Sequence, residues 1–212
     1  MEKILKKQAT TMKSVNIALP KRENVHSQAT GRIGDMLGTE MILAARNAIY
    51  ESSRVRENWE TWVEALESGD YEQDADGGVL NRNVGKGEST WCCLGVACDL
   101  QDVSWTKDDG NGVYLYVDKE DGTSRDCLPD PYLMNDSFGV IRQEISLDNW
   151  DEGNDIYLIA KFYENGKYHT GLVTGSAAND DGVSFATIAQ AIRNTYLNPV
   201  YERMGLQHMM VP

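Results

Sequence analysis

The chain has 212 residues, 41% of them hydrophobic and 25% charged, with a net charge of −13 at pH 7. That length fits one sizeable domain, with or without an appendage; no apolar run reaches the roughly 18 residues of a membrane span, and the N-terminal stretch lacks the apolar core of a secretory signal. Four cysteines, two of them adjacent, read as reduced thiols and not as a disulfide framework, so a soluble intracellular protein is expected.

Charge divides the chain unevenly. Met1 to Arg32 carries seven basic residues against Glu2 and Glu23, a net of +5, so the rest carries −18. An acidic body repels phosphate backbones, which leaves only the arm from Met1 to Arg32 as a contact for nucleic acid. The arm, residues 1–34, is rich in Lys, Thr, Ser, Asn and Gln without an apolar period, and Pro20 interrupts any helix in it. It reads as extended or disordered. Residues 35–212 read as a single α+β domain.

The first helix is expected from "GDMLGTEMILAARNAIYESS", where Met41, Ala44, Ala45, Ala48 and Ile49 recur at helical spacing and Asp35 is the expected N-cap. A second follows in "RENWETWVEALESGDY". Trp59, Trp62, Val63 and Leu66 make one face, which reads as core, and Ser68-Gly69 stops the run.

From Val79 the period changes to two. "GVLNR" and "STWCC" flank the glycine-containing loop Asn83 to Gly87 and predict a hairpin. "GVYLYVD" alternates and runs toward a tight turn at Asp121-Gly122. "LPDPYLMNDSFG" holds one short helical turn, while "VIRQEISLD" and "DIYLIAKFYE" read as strands. Asn165-Gly166 turns into "KYHTGLV", the clearest hairpin in the chain. A last helix follows in "SFATIAQAIRNTYLNP", with Phe185, Ile188, Ala189, Ile192 and Tyr196 on one face, Ser184 as N-cap and Asn198-Pro199 as stop. Helices at both ends around sequential strands predict an α+β fold, a mostly antiparallel sheet flanked by N-terminal and C-terminal helices, with the extended basic arm in front.

The stretch "TWCCLGVACDL" concentrates Cys92, Cys93 and Cys98 at a strand-to-helix junction. Structural zinc needs two ligand pairs. Cys127 is isolated and His26, His169 and His208 are scattered, so no metal site is expected. A thiol nucleophile is the second reading. A cysteine at a helix N-terminus feels the positive helix end, and His169 in a later strand would be its base, which makes Cys92, Cys93 and His169 the candidate catalytic residues. The favoured reading is packing. Cys93, Ala97 and Leu100 share a face, as do Leu94 and Cys98, and small Gly95 and Ala97 admit close approach to a sheet.

Glu72, Asp74, Asp76 and Gly77 imitate the start of a calcium loop, but Asn83 stands where the bidentate Glu belongs. Weak calcium binding by this turn or by "DNWDEGND" stays open. The last helix imitates the first half of a helix-turn-helix, yet Asn198-Pro199 follows in place of a recognition helix. No phosphate loop, G-x-G-x-x-G, H-E-x-x-H or G-x-S-x-G is present, and no cofactor is expected.

Taken in order, "WVEALESGDYEQ", "GVLNR", "WCCLGVACDL", "LPDPYLMN" and "NDDGVSFATIAQAI" resemble a group of uncharacterised proteins of tailed bacteriophages and prophages. The resemblance rests on W-x-x-A-L-x-S-G-x-Y-x-Q from Trp62 to Gln73, CCLGV-x-C from Cys92 to Cys98, a Leu-Pro segment, and the N-D-x-G-x-[ST]-F-x-x-I-A series from Asn179 to Ala189. The arm, the first helix and the stretch from Gln143 to Asn165 depart from it. The resemblance implies phage origin and a fold, and no activity.

Three functions follow as expectations, in this order. The first is a non-enzymatic accessory protein that acts by binding, a host-interaction or counter-defence protein whose acidic surface engages a basic partner, host or phage. The second is a virion or assembly component that uses the basic arm. The third is a cysteine-dependent hydrolase. No membrane contact is expected, the location is host cytoplasm or virion, and the oligomeric state is open.

Overall fold

Apolar residues spaced at three and four set the position of the central helix. In the computed structural model, which describes residues 32–74, 77–108, 110, 112–117, 124–125, 129, 131–140, 155–164 and 167–198, α1 spans Arg32–Glu51 and α2 spans Ser53–Ser68. Extended Ser52 separates them and caps α2 by accepting from the Val55 N–H. Gly69, at φ 81°, ends it in the left-handed conformation that a side chain resists. The face Val55, Trp59, Trp62, Val63 and Leu66 is buried, as its spacing predicts. Each indole N–H finds a carbonyl at 2.9 Å, Trp59 on Phe138 and Trp62 on Cys93.

The first helix begins earlier than expected. Asp35 is not its N-cap but lies inside the first turn. Nothing in Arg32-Ile33 opposes helix, and a carboxylate anywhere in that turn suits the positive helix end. Helix α1 therefore takes in Arg32–Gly34, residues expected in the arm. The remainder of the arm, Cys127, His26, His208, the Asp121-Gly122 and Asn165-Gly166 turns, and all of the expected "VIRQEISLD" strand except Val140 lie outside the described residues.

Six strands form the main sheet: β1 (Glu72–Gln73), β2 (Asn81–Gly85), β3 (Glu88–Trp91), β4 (Ser104–Asp108), β5 (Val113–Val117) and β6 (Ser124–Arg125). Their order is β1-β3-β2-β5-β4, with β6 also on β5. Only the β1–β3 pair is parallel. The expected hairpin is β2–β3, but its turn is only Lys86-Gly87: Asn83–Gly85, expected in the loop, belong to β2, where Asn83 and Gly85 pair with β3. Strand β4 was not anticipated, because "SWTKD" has a single large apolar residue. Its ladder from Ser104–Val117 to Asp108–Val113 makes it an edge strand on β5.

Helix α3 (Cys93–Asp99) follows β3 directly, and α4 (Pro131–Phe138) starts on a proline, whose fixed φ suits a first helical position. The second sheet is the hairpin β7 (Tyr157–Glu164) and β8 (Lys167–Thr174), in register from Tyr157–Thr174 to Glu164–Lys167. The short α5 (Gly175–Asp180) had not been read from the sequence. Ser184 caps α6 (Phe185–Ile192) as predicted, and a π-helical turn, Arg193–Leu197, carries the chain to Asn198.

The core gathers around the two tryptophans of α2. Trp59 stacks on Tyr196 at 4.2 Å, and Phe138 meets Trp59 and Trp62 edge-on at 5.5 and 5.3 Å. Leu94, Met134, Ile156, Leu158, Ile188 and Ile192 complete it, each fully buried. The architecture is α+β, a mostly antiparallel sheet flanked by N-terminal and C-terminal helices.

Candidate functional site

Helix α3 places the three clustered thiols. Cys92 is its N-cap, and its sulfur accepts the Gly95 N–H at 3.2 Å. The Cys93 thiol donates to the Gly175 carbonyl at 3.4 Å. Every residue from Cys92 to Cys98 is buried. Gly95 lets the helix lie on the chain entering β2, since a Cβ there would stand 1.9 Å from the Leu80 carbonyl oxygen. The packing expected of Gly95 is thus made against the backbone entering a strand, while α2 and α5 cover the helix elsewhere through the Trp62–Cys93 and Cys93–Gly175 bonds.

Thiolate chemistry is opposed by this placement. Burial pushes the Cys92 thiol up to about 12, against the lowering effect of the Gly95 and Leu94 N–H groups. Burial also raises Cys93 well above the ordinary thiol range, with the neighbouring Cys92 adding to the rise. The helix end contributes two N–H groups, and desolvation outweighs them. His169 lies on β8 opposite Phe162, five residues before Thr174. That is about 17 Å along an extended strand, whereas Cys93 bonds the residue just after Thr174. Strand geometry therefore separates the backbone of His169 from the thiols, and the three candidate catalytic residues are not assembled into a site.

What the structure does assemble is a polar clasp between distant parts of the chain. Gln73 donates to the Asn179 side chain at 3.2 Å and to the Val183 carbonyl at 2.7 Å, and accepts the Phe185 N–H at 3.0 Å. Asn179, fully buried, donates in turn to the Asp74 carbonyl. Asp180 accepts the Gly78 N–H. Arg82 pairs with the Asp74 carboxylate at 2.9 Å and holds the Gly77 carbonyl at 3.0 Å. Tyr71 and Trp105 both donate to Asp99, at 2.8 and 3.0 Å. Burial, and then the hydrogen bond to Asp99, raises the Tyr71 phenol above its ordinary value.

These contacts give physical roles to Tyr71, Gln73, the cysteines, Asn179, Asp180 and Phe185, the residues that carried the sequence motifs. They are joints of the fold. The sequence reading missed Asp155, a buried carboxylate that accepts from Ile156 N at 2.7 Å and from the backbone and hydroxyl of Ser176. Burial raises its pKa against those bonds. The hydroxyl and amide donors stand 21 residues away, so no local pattern marked it. Arg82, one polar residue among several in "NRNVG", gave no signal either.

Among the described residues no group of three His, Cys, Asp or Glu side chains is placed to hold a metal ion. Asp74, the second carboxylate of the imitation calcium loop, is taken by Arg82. Asp76, and all of "DNWDEGND" except Asp155, lie outside the described residues.

The outer surface of α2 is acidic. From Glu57 to Asp76 the chain carries eight carboxylates and no basic residue. Glu60 pairs with Arg56 and Glu67 with Arg193. Glu57, Glu64, Asp70 and Glu72 are exposed and make no ion pair among the described residues.

No curated protein and no solved structure matches this chain. The profile of one family covers residues 53–196, which run from the start of α2 to the stacked Tyr196 and take in the core helices, the clasp and the cysteine helix. On that match across most of its length, the chain belongs to the family described as Domain of unknown function (DUF8296).

Proposed function

We propose that the protein is a non-enzymatic accessory protein of tailed bacteriophages or prophages that acts by binding, its acidic exterior engaging a basic surface on a host protein. The observation that carries this reading is the exposed set Glu57, Glu64, Asp70 and Glu72 on and just beyond α2, which make no ion pair among the described residues. Complementary charge speeds encounter and suppresses wrong partners, so such a surface selects for basic ones. Closure of the thiols supports it from the other side. The cluster that most invited a catalytic interpretation is interior, and burial pushes the Cys92 and Cys93 thiols up, away from thiolate.

Affinity capture from host lysate at low and high salt tests the reading. It expects a basic host protein that is retained at low salt and released as salt rises. Absence of any salt-sensitive partner contradicts it. Recovery of the protein in purified virions would move the assignment to an assembly role for the basic arm.

A further inference from the structure

We infer that the half-buried rings of Tyr71, Trp91 and Trp105 form the contact point for a lysine or arginine side chain of the basic partner; this rests on the binding reading above and names the surface that reads the cation. Trp91 meets Tyr71 at 5.5 Å and Trp105 at 5.4 Å, both edge-on. All three rings stay partly open to solvent while their inner edges touch the core.

Two further observations give the rings a ligand class. Two carboxylates border them. Asp99 holds both the Tyr71 hydroxyl and the Trp105 indole, and exposed Asp70 acts on the Tyr71 phenol. Directly opposite Trp91 in the β2–β3 ladder lies Asn81, 3% exposed. Its amide oxygen is buried without a hydrogen-bond partner. Half-open rings, bordering carboxylates and an unpaired acceptor opposite Trp91 share one complement, a cationic N–H donor on an apolar stem. Cations settle over tryptophan faces within about 6 Å of the ring centroid, and carboxylates nearby deepen the attraction.

The test is a fluorescence titration of the full chain with an octalysine peptide at low and physiological salt, since the tryptophans of α2 are buried and Trp91 and Trp105 are the partly exposed indoles among the described residues. The inference expects quenching on binding, with Trp105→Leu about tenfold weaker while Glu51→Gln, at an exposed carboxylate that ends α1, binds like the wild type. Should Trp105→Leu fail to fold, Trp105→Phe keeps a ring of lower cation affinity and is expected to bind about threefold more weakly. Equal affinity for the wild type and the Trp105 variants overturns this inference and leaves the acidic-surface reading standing. No binding by the wild type at low salt overturns both.

Discussion

At the scale of single residues, Gly95 and the two core tryptophans decide whether α3 can sit where it does. Gly95 is required by proximity, because its backbone φ is unexceptional and the neighbour is the Leu80 carbonyl, main-chain atoms that cannot rotate away. Gly95→Ala must push α3 off the entrance to β2 and break the Cys92 N–H to Leu80 carbonyl bond at 3.1 Å. A loss of about 3 kcal/mol or more is expected, in the range of severe overpacking, read as a shifted urea midpoint. Near-wild-type stability would show that helix and strand are not in contact. Trp62→Phe keeps the volume roughly but deletes the bond to the Cys93 carbonyl. It should cost about 1–3 kcal/mol, with a cost near zero counting against the buried placement of that bond.

At the scale of elements, α3 is a buried helix whose thiols couple its stability to alkaline pH. A thiol whose pKa is higher in the folded chain keeps its proton there after the unfolded chain has lost it. Cys92 and Cys93 therefore leave stability level below about pH 9 and lower it as pH rises toward 12. Each contributes a slope of up to about 1.4 kcal/mol per pH unit. Denaturant midpoints should fall across that window in the wild type and less steeply in Cys92→Ser, and identical slopes would contradict the burial of Cys92. The same element shows what could be read in advance. Periodicity placed α2 and α6 because one face of each is apolar, and small apolar residues marked α3, which is buried from Cys93 to Cys98. Alternation with turn residues placed β3, β5, β7 and β8 and the first half of β2. Strand β4 escaped because an edge strand needs no apolar face, and α5 because six residues of "GSAAND" carry no period. The burial of the thiols was legible from small neighbours and helical spacing. The Gln73–Asn179 clasp and the Asp155–Ser176 pair were not, since both join residues that only the folded chain brings together.

At the scale of the whole molecule, the carboxylates Asp74 and Asp155 are buried, and Glu57, Glu64, Asp70 and Glu72 lie exposed on and just beyond α2. Glu57→Lys with Glu64→Lys reverses two exposed carboxylates of α2 that make no ion pair among the described residues, and leaves the core untouched. Thermal stability should move by less than about 1 kcal/mol, while salt-sensitive capture of a basic partner should drop sharply, and unchanged capture would place the binding surface elsewhere. The central claim, that the cysteine helix is core and not a reactive site, is tested most directly by mapping iodoacetamide labelling of the folded protein by mass spectrometry at neutral pH. Cys92, Cys93 and Cys98 should remain unlabelled over a time in which free cysteine reacts fully, and all three should label once the chain is unfolded in urea. Labelling of Cys92 or Cys93 in the folded protein at or above the rate of free cysteine would contradict the account.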